Sequence, residues 1–169
     1  TEIRAAIRAK DYILVTTDTA AYTIQFVGAP FTFSIRKVGS NCGCVGPHAM
    51  QFKDGIVYWM DDSGGFNYFD GTVKTLACTV EDFVFTQNNP GDLGLNYGSG
   101  KLVYAGNNCL YGEVTWYYPS ADSGVIDRAV TWNREENCWY TSSLARTTAN
   151  DAHLFAVPYK TEFNQTGTP

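Results

Sequence analysis

The chain has 169 residues, 44% of them hydrophobic and 17% charged, the balance of a folded chain with a real core rather than a disordered one. Eleven Tyr, ten Phe, four Trp and 16 Gly favour half-buried pleated strands joined by tight turns, so the composition leans all-β. Twelve Lys and Arg stand against 17 Asp and Glu, a net charge of −5. The densest basic stretch is Arg4, Arg8 and Lys10. This speaks against a protein that grips nucleic acid by releasing counterions, and leaves open a surface that DNA slides past without adhering.

The first ten residues alternate Ile3, Ala5 and Ile7 with Arg4, Ala6 and Arg8, which suits an edge strand. A compact run of β-formers follows at 12–16, then Thr17-Asp18-Thr19 as a turn. Tyr22, Ile24 and Phe26 alternate with Thr23 and Gln25, and after the break at Gly28-Ala29-Pro30 so do Phe31, Phe33 and Ile35, the period-2 pattern of a half-buried strand. These make a four-strand unit over about 3–38. The Gly-rich stretch 39–47 reads as a linker; it lacks the Gly-Lys-Ser/Thr ending of a phosphate-binding loop.

A second unit spans about 48–77, with short strands at 49–52, 56–60, 66–69 and 72–77. Its turn chemistry is the sharpest in the chain, with Asp54-Gly55 and Asp70-Gly71 as hairpin signals between aromatic strands. The segment 78–100 reads as a connection with a short helical turn, Thr79 as its N-cap and Asp82 at N3, then a polar loop at 87–94. A third unit spans about 101–143, with strands at 101–106, 113–118, 126–132 and 138–142. The run 153–157 (His-Leu-Phe-Ala-Val) looks like the first strand of a fourth.

Four antiparallel strands in about 40 residues is the size of one β-propeller blade. The expected architecture is therefore all-β, with antiparallel four-stranded meanders arranged as about three blades plus the start of another. The alternative is a β-sandwich, which needs no ring closure. Because propellers close with about four to eight blades, and the chain begins at Thr1 rather than Met, a piece of a longer polypeptide is expected.

Several polar groups invite chemistry. Asp61-Asp62-Ser63-Gly64-Gly65 offers oxygens for Ca²⁺ but not the spacing of an EF-hand loop, and a plain turn is the simpler reading. The same holds for Asp122-Ser123-Gly124 with Asp127. Glu135-Glu136 sit in a turn, and a carboxylate pair for glycoside hydrolysis would have to flank a cleft. Cys42, Cys44 and His48 lie close in sequence, superficially a thiol–imidazole pair, yet no Gly-x-Ser-x-Gly elbow or other nucleophile signature is present. The five cysteines (Cys42, Cys44, Cys78, Cys109, Cys138) show no disulfide framework and read as thiols of a reducing compartment. His48 and His153 give no zinc spacing. Trp59, Trp116 and Trp139 offer ring faces for a sugar, though alternation puts Trp116 and Tyr118 on one strand face and Tyr117 on the other. Neither a run of about 20 apolar residues nor a signal peptide is visible. The expectation is a non-enzymatic chain with no catalytic, cofactor or metal residues.

The runs Lys101-Leu-Val-Tyr-Ala-Gly-Asn-Asn, Glu113-Val-Thr-Trp-Tyr-Tyr-Pro-Ser, Asp127-Arg-Ala-Val-Thr-Trp-Asn and Glu136-Asn-Cys-Trp-Tyr resemble a family of bacteriophage virion structural proteins. So do Gly39-Ser-Asn-Cys-Gly with Gly46-Pro47, 56–60, Phe69-Asp70-Gly71 and Cys78-Thr-Val-Glu-Asp-Phe-Val-Phe. The resemblance covers about 12–158 and is carried by turns and strands, not catalytic signatures. It implies a propeller-bearing tail tubular, nozzle or head-to-tail stabilisation protein, longer than this chain. Such proteins form rings of their own copies around the DNA channel, retain packaged DNA and meet portal, adaptor and tail-fibre proteins. The implied location is the virion tail, assembled in the host bacterial cytoplasm. A carbohydrate-binding propeller or module and a propeller glycoside hydrolase are the alternative functions.

Overall fold

The structure, a computed structural model, describes residues 1–87, 91 and 93–144. Among the described residues, twelve strands form three antiparallel four-stranded sheets, each a simple up-and-down meander. The first holds β1 (Ile3–Arg8), β2 (Ile13–Thr17), β3 (Ala20–Phe26) and β4 (Phe33–Ser40). The second holds β5 (Met50–Lys53), β6 (Ile56–Asp61), β7 (Gly65–Phe69) and β8 (Val73–Thr75). The third holds β9 (Tyr104–Asn108), β10 (Glu113–Tyr118), β11 (Arg128–Asn133) and β12 (Cys138–Ser143). The all-β expectation holds, with three sheets rather than the two of a sandwich. The fourth unit expected at 153–157 lies outside the described residues.

Turn chemistry sets the registers. Asp54 and Gly55 both take positive φ, +50° and +83°, the geometry that lets a two-residue hairpin follow the right-handed twist of its strands. Each sheet then buries what its alternation selects. On the first, Leu14 and Thr16 face inward while Ile13 and Val15 point the other way. On the third, Trp116 and Tyr118 are wholly buried while Tyr117 stacks on Tyr104 from the opposite face, ring centroids 4.7 Å apart.

The stretch 39–47 is more than a linker. β4 runs on to Ser40, and Cys42 through Gly46 are buried in a seam between the first two sheets. Cys42 N donates to Thr19 O (3.4 Å), Cys44 N to Thr17 O (3.2 Å) and Val45 N to Met60 O (3.1 Å). Glycine is required at Gly43, because a Cβ there would press on the Asp18 carbonyl oxygen and the Asp62 carboxylate. The Gly-rich composition that reads as slack on sequence serves close backbone approach instead.

The start of the third sheet is also displaced. Lys101 and Leu102 belong to a 3-10 helix, Tyr97–Leu102, and the strand begins only at Tyr104 and runs to Asn108. Gly98 and Gly100 suit this tight turn, whereas the apolar pair Leu102-Val103 alone reads as strand. The expected helical turn exists as α1 (Glu81–Phe85), but its N-cap is Val80, with no side-chain hydrogen bond, so Thr79 lies one residue outside. Packing holds this turn in place of capping: Val84 is fully buried and Phe85 meets Phe66 at 5.3 Å. The polar loop 87–94 lies partly outside the described residues. No described helix is long and apolar enough to cross a membrane.

The first strands of the three sheets adjoin in sequence, β1 beside β5 and β5 beside β9. The second junction includes a parallel bridge between His48 and Tyr104, with Ala105 N donating to His48 O at 2.8 Å. A single apolar core runs through all three sheets. Phe66 is its hub, touching Trp116 and Trp139 at 4.7 Å each. Full burial of such a ring stabilises the fold by roughly 2–3 kcal/mol.

Candidate functional site

A concavity lies where the three first strands meet. It is an open groove of about 730 Å³. β1 contributes Ala6 and Ile7, the approach to β5 and β5 itself Pro47, His48, Met50 and Gln51, and the third unit Lys101, Leu102, Tyr104, Ala105 and the segment Gly124, Val125 and Ile126. The groove is shaped by close backbone contact beneath it. Ala49 N donates to Gly46 O, Val103 N to Gly100 O, and Gly46 lies so near the Gly100 carbonyl that no Cβ fits.

Its lining is short of groups that could carry acid–base chemistry. Most of the lining is apolar, its charged side chain is Lys101, and no carboxylate is among the lining residues. The groove itself went unrecognised in the sequence, because its residues come from three units, on strands, a 3-10 helix and loops, and share no local pattern.

The sequence-nominated clusters resolve into turns. Asp61 is buried; its Oδ1 accepts from Ser63 N (2.8 Å) and Ser63 Oγ (2.7 Å), and its Oδ2 accepts from Asn67 Nδ2. Both oxygens are thus committed to the β6–β7 turn. Asp62 beside it is pushed up to about 6, first by burial and then by its contact with Asp61. Asp127 closes the loop between β10 and β11, accepting from Ser120 N (2.8 Å) and Ser120 Oγ (2.7 Å). Asp122 is exposed, as are Glu135 and Glu136 in the β11–β12 turn. Among the described residues no group of three His, Cys, Asp or Glu is placed to hold a metal ion.

Cys42, Cys44 and His48 do not form a catalytic pair. The Cys44 thiol donates to Gly46 O at 3.2 Å and burial pushes it up to about 12; burial also raises Cys42. A nucleophilic cysteine needs the opposite shift. His48 is exposed, on the groove.

The tryptophans considered for sugar stacking are structural. Trp59 and Trp116 are wholly buried, and Trp139 is half-buried with its Nε1 donating to Ala77 O at 2.8 Å. Trp59 and Trp116 are enclosed and offer no face to a ligand, whereas the Trp139 ring is partly open. Asp61, the carboxylate considered for Ca²⁺, has its oxygens occupied by protein donors.

Neither a family model nor a curated protein matches the sequence.

Proposed function

We propose that this chain is a structural component of a bacteriophage tail or head-to-tail connector. In this reading its three sheets are successive propeller blades, and the groove along β1, β5 and β9 is a sector of the central channel. The observation that carries the blade reading is the adjacency of first strands: β1 with β5, then β5 with β9, the relation that radial repetition of four-stranded meanders produces. The phage assignment rests on the turn and strand runs around Gly39–Gly43, Glu113–Ser120 and Glu136–Tyr140 that resemble virion proteins.

In this role the chain assembles with its own copies in a ring around the DNA channel, helps to retain packaged DNA, and offers its outer surfaces to portal, adaptor and tail-fibre proteins. Its location is the virion tail, after assembly in bacterial cytoplasm. Its work is done by rigid packing, which fits carboxylates spent on turns and thiols raised by burial.

Peptide mass spectrometry on density-gradient-purified virions from cells carrying this sequence tests the proposal. Peptides of this chain should co-purify with the particles at a fixed ratio to the portal protein. Their complete recovery in the soluble, particle-free fraction would overturn it.

A further inference from the structure

Exposed loops of a folded chain are ordinarily polar, and the hairpin joining β3 to β4 is not. Its tip, 26–33, reads Phe-Val-Gly-Ala-Pro-Phe-Thr-Phe, with no charged side chain and a single hydroxyl. Phe31, Phe26, Phe33 and Val27 are 76%, 67%, 63% and 51% exposed. Such concentrated apolar surface marks an interaction site. The tip also stands clear of its sheet. β2 pairs with β3 only as far as Ile13 opposite Ile24, whereas β3 and β4 stay paired out to Phe26 opposite Phe33. The hairpin overhangs beyond that point, and a hollow of about 360 Å³ lies between these two Phe residues and the β1–β2 turn.

Down the face that carries Phe26 and Phe33 the chemistry changes in steps. That pair is followed by Ile24 with Ile35, and then by Tyr22 with Lys37. At about 3.3 Å per residue, Lys37 lies roughly 13 Å below Phe33. Arg36 is next to Lys37, and Arg8 and Lys10 flank the neighbouring β1–β2 turn, all four exposed. No Asp or Glu occurs between Asp18 and Asp54, in a chain whose net charge is −5. Asp11 lies in the β1–β2 turn, and Asp70, next to the Phe69 that packs on Tyr12, has its carboxylate held by Lys74 at 2.6 Å.

An apolar tip above a tyrosine and a collar of cations is the order of groups that suits a bilayer, from the acyl boundary outward to the headgroups. The cations add attraction to an anionic surface. The backbone agrees, because Pro30 has no N–H to desolvate and Val27 N donates to Thr32 O at 3.2 Å within the tip. The apolar groups wrap the end of the hairpin rather than paving one flat face, a shape that enters a fluid layer without a preformed socket.

We infer that the β3–β4 hairpin inserts its tip into the surface of a bilayer containing anionic lipid, with Tyr22, Lys37 and the neighbouring cations at the headgroups. The chain then lies on the membrane and does not cross it. This inference rests on the hairpin alone, and on neither the blade arrangement nor the virion role.

Co-sedimentation of the 169-residue chain with lipid vesicles provides the test. One set of vesicles is phosphatidylcholine, the other an equimolar mixture of phosphatidylcholine and phosphatidylglycerol. The chain should sediment with the mixed vesicles, stay in solution with phosphatidylcholine alone, and be released as salt is raised. Phe31→Ser with Phe33→Ser should weaken binding by about a hundredfold or more, and Lys37→Gln by about fivefold. Leu110→Ser, at an exposed apolar site in the turn between β9 and β10, should leave it unchanged; circular dichroism confirms that each variant is folded. No binding to the mixed vesicles, equal binding to phosphatidylcholine alone, or binding that survives the double Phe substitution overturns the inference. Self-association without vesicle binding, abolished by the same double substitution, would assign the tip to a protein interface and overturn it too.

Discussion

Trp116 and Ala49 are joined by a 3.1 Å hydrogen bond from the indole Nε1 to the backbone carbonyl. That bond ties a central strand of the third sheet to the residue just ahead of the first strand of the second. Trp139 makes the parallel bond to Ala77 at the outer end of the same interface. The indoles thus combine apolar filling with a polar tip that finds a carbonyl across the seam, fixing how successive sheets sit on one another.

Trp116→Phe should cost about 2–3 kcal/mol, combining the lost hydrogen bond with the space left by the smaller ring. Trp139→Phe should cost less, about 1 kcal/mol, because that ring is only half-buried. Urea denaturation checks both: the midpoint should fall with the slope unchanged.

Gly43→Ala should destabilise by about 2–3 kcal/mol, since the new methyl meets the Asp18 carbonyl in a close-packed seam. Gly124→Ala, where a Cβ has open space around it, should change stability by no more than about 0.5 kcal/mol. The pair of melting curves separates crowding from any general intolerance of alanine.

Asp62 links the seam to pH. Its carboxyl is raised from 3.8 to about 6 in the folded chain, so the folded state favours the protonated form. That contribution is fully present below 3.8 and is lost as pH rises through about 6. The group is only partly buried, and solvent screening reduces the effect to about 1 kcal/mol. Asp62→Asn should therefore be the more stable protein well above that pH and lose its advantage in acid, as paired unfolding curves over the pH range will show.

Thiol labelling should report the same architecture. Cys109 is exposed, whereas Cys44 is wholly buried and pushed up to about 12. A disulfide reagent should modify Cys109 promptly in the native protein and reach Cys44 only at the rate of unfolding. Prompt labelling of Cys44 would mean that the seam between the first two sheets opens.

Much of the fold was legible because local chemistry dictates it. Asp54-Gly55 and Asp70-Gly71 specify hairpins wherever they occur, and the alternation at Trp116-Tyr117-Tyr118 sorts those rings to two faces without knowledge of what covers them. The misreadings arise where the deciding partner is distant. Gly43 and Gly46 look like slack until Asp18 and Gly100 are placed against them. Trp59 and Trp116 look available to a ligand until the packed sheets bury them, Phe66 lying against Trp116. Asp61 looks like a ligand or an acid until Ser63 and Asn67 take its oxygens. The groove was invisible, since no local pattern ties Ile7, His48 and Leu102 together; only the adjacency of three first strands does so.

The most direct measurement is cryo-electron microscopy of the virion that carries this sequence, at a resolution that separates strands. The three sheets should appear as neighbouring blades of a propeller in the tail or neck, with β1, β5 and β9 innermost. Density that places the chain outside the tail and neck, or that shows its three sheets not arranged as neighbouring blades, would contradict the proposed role.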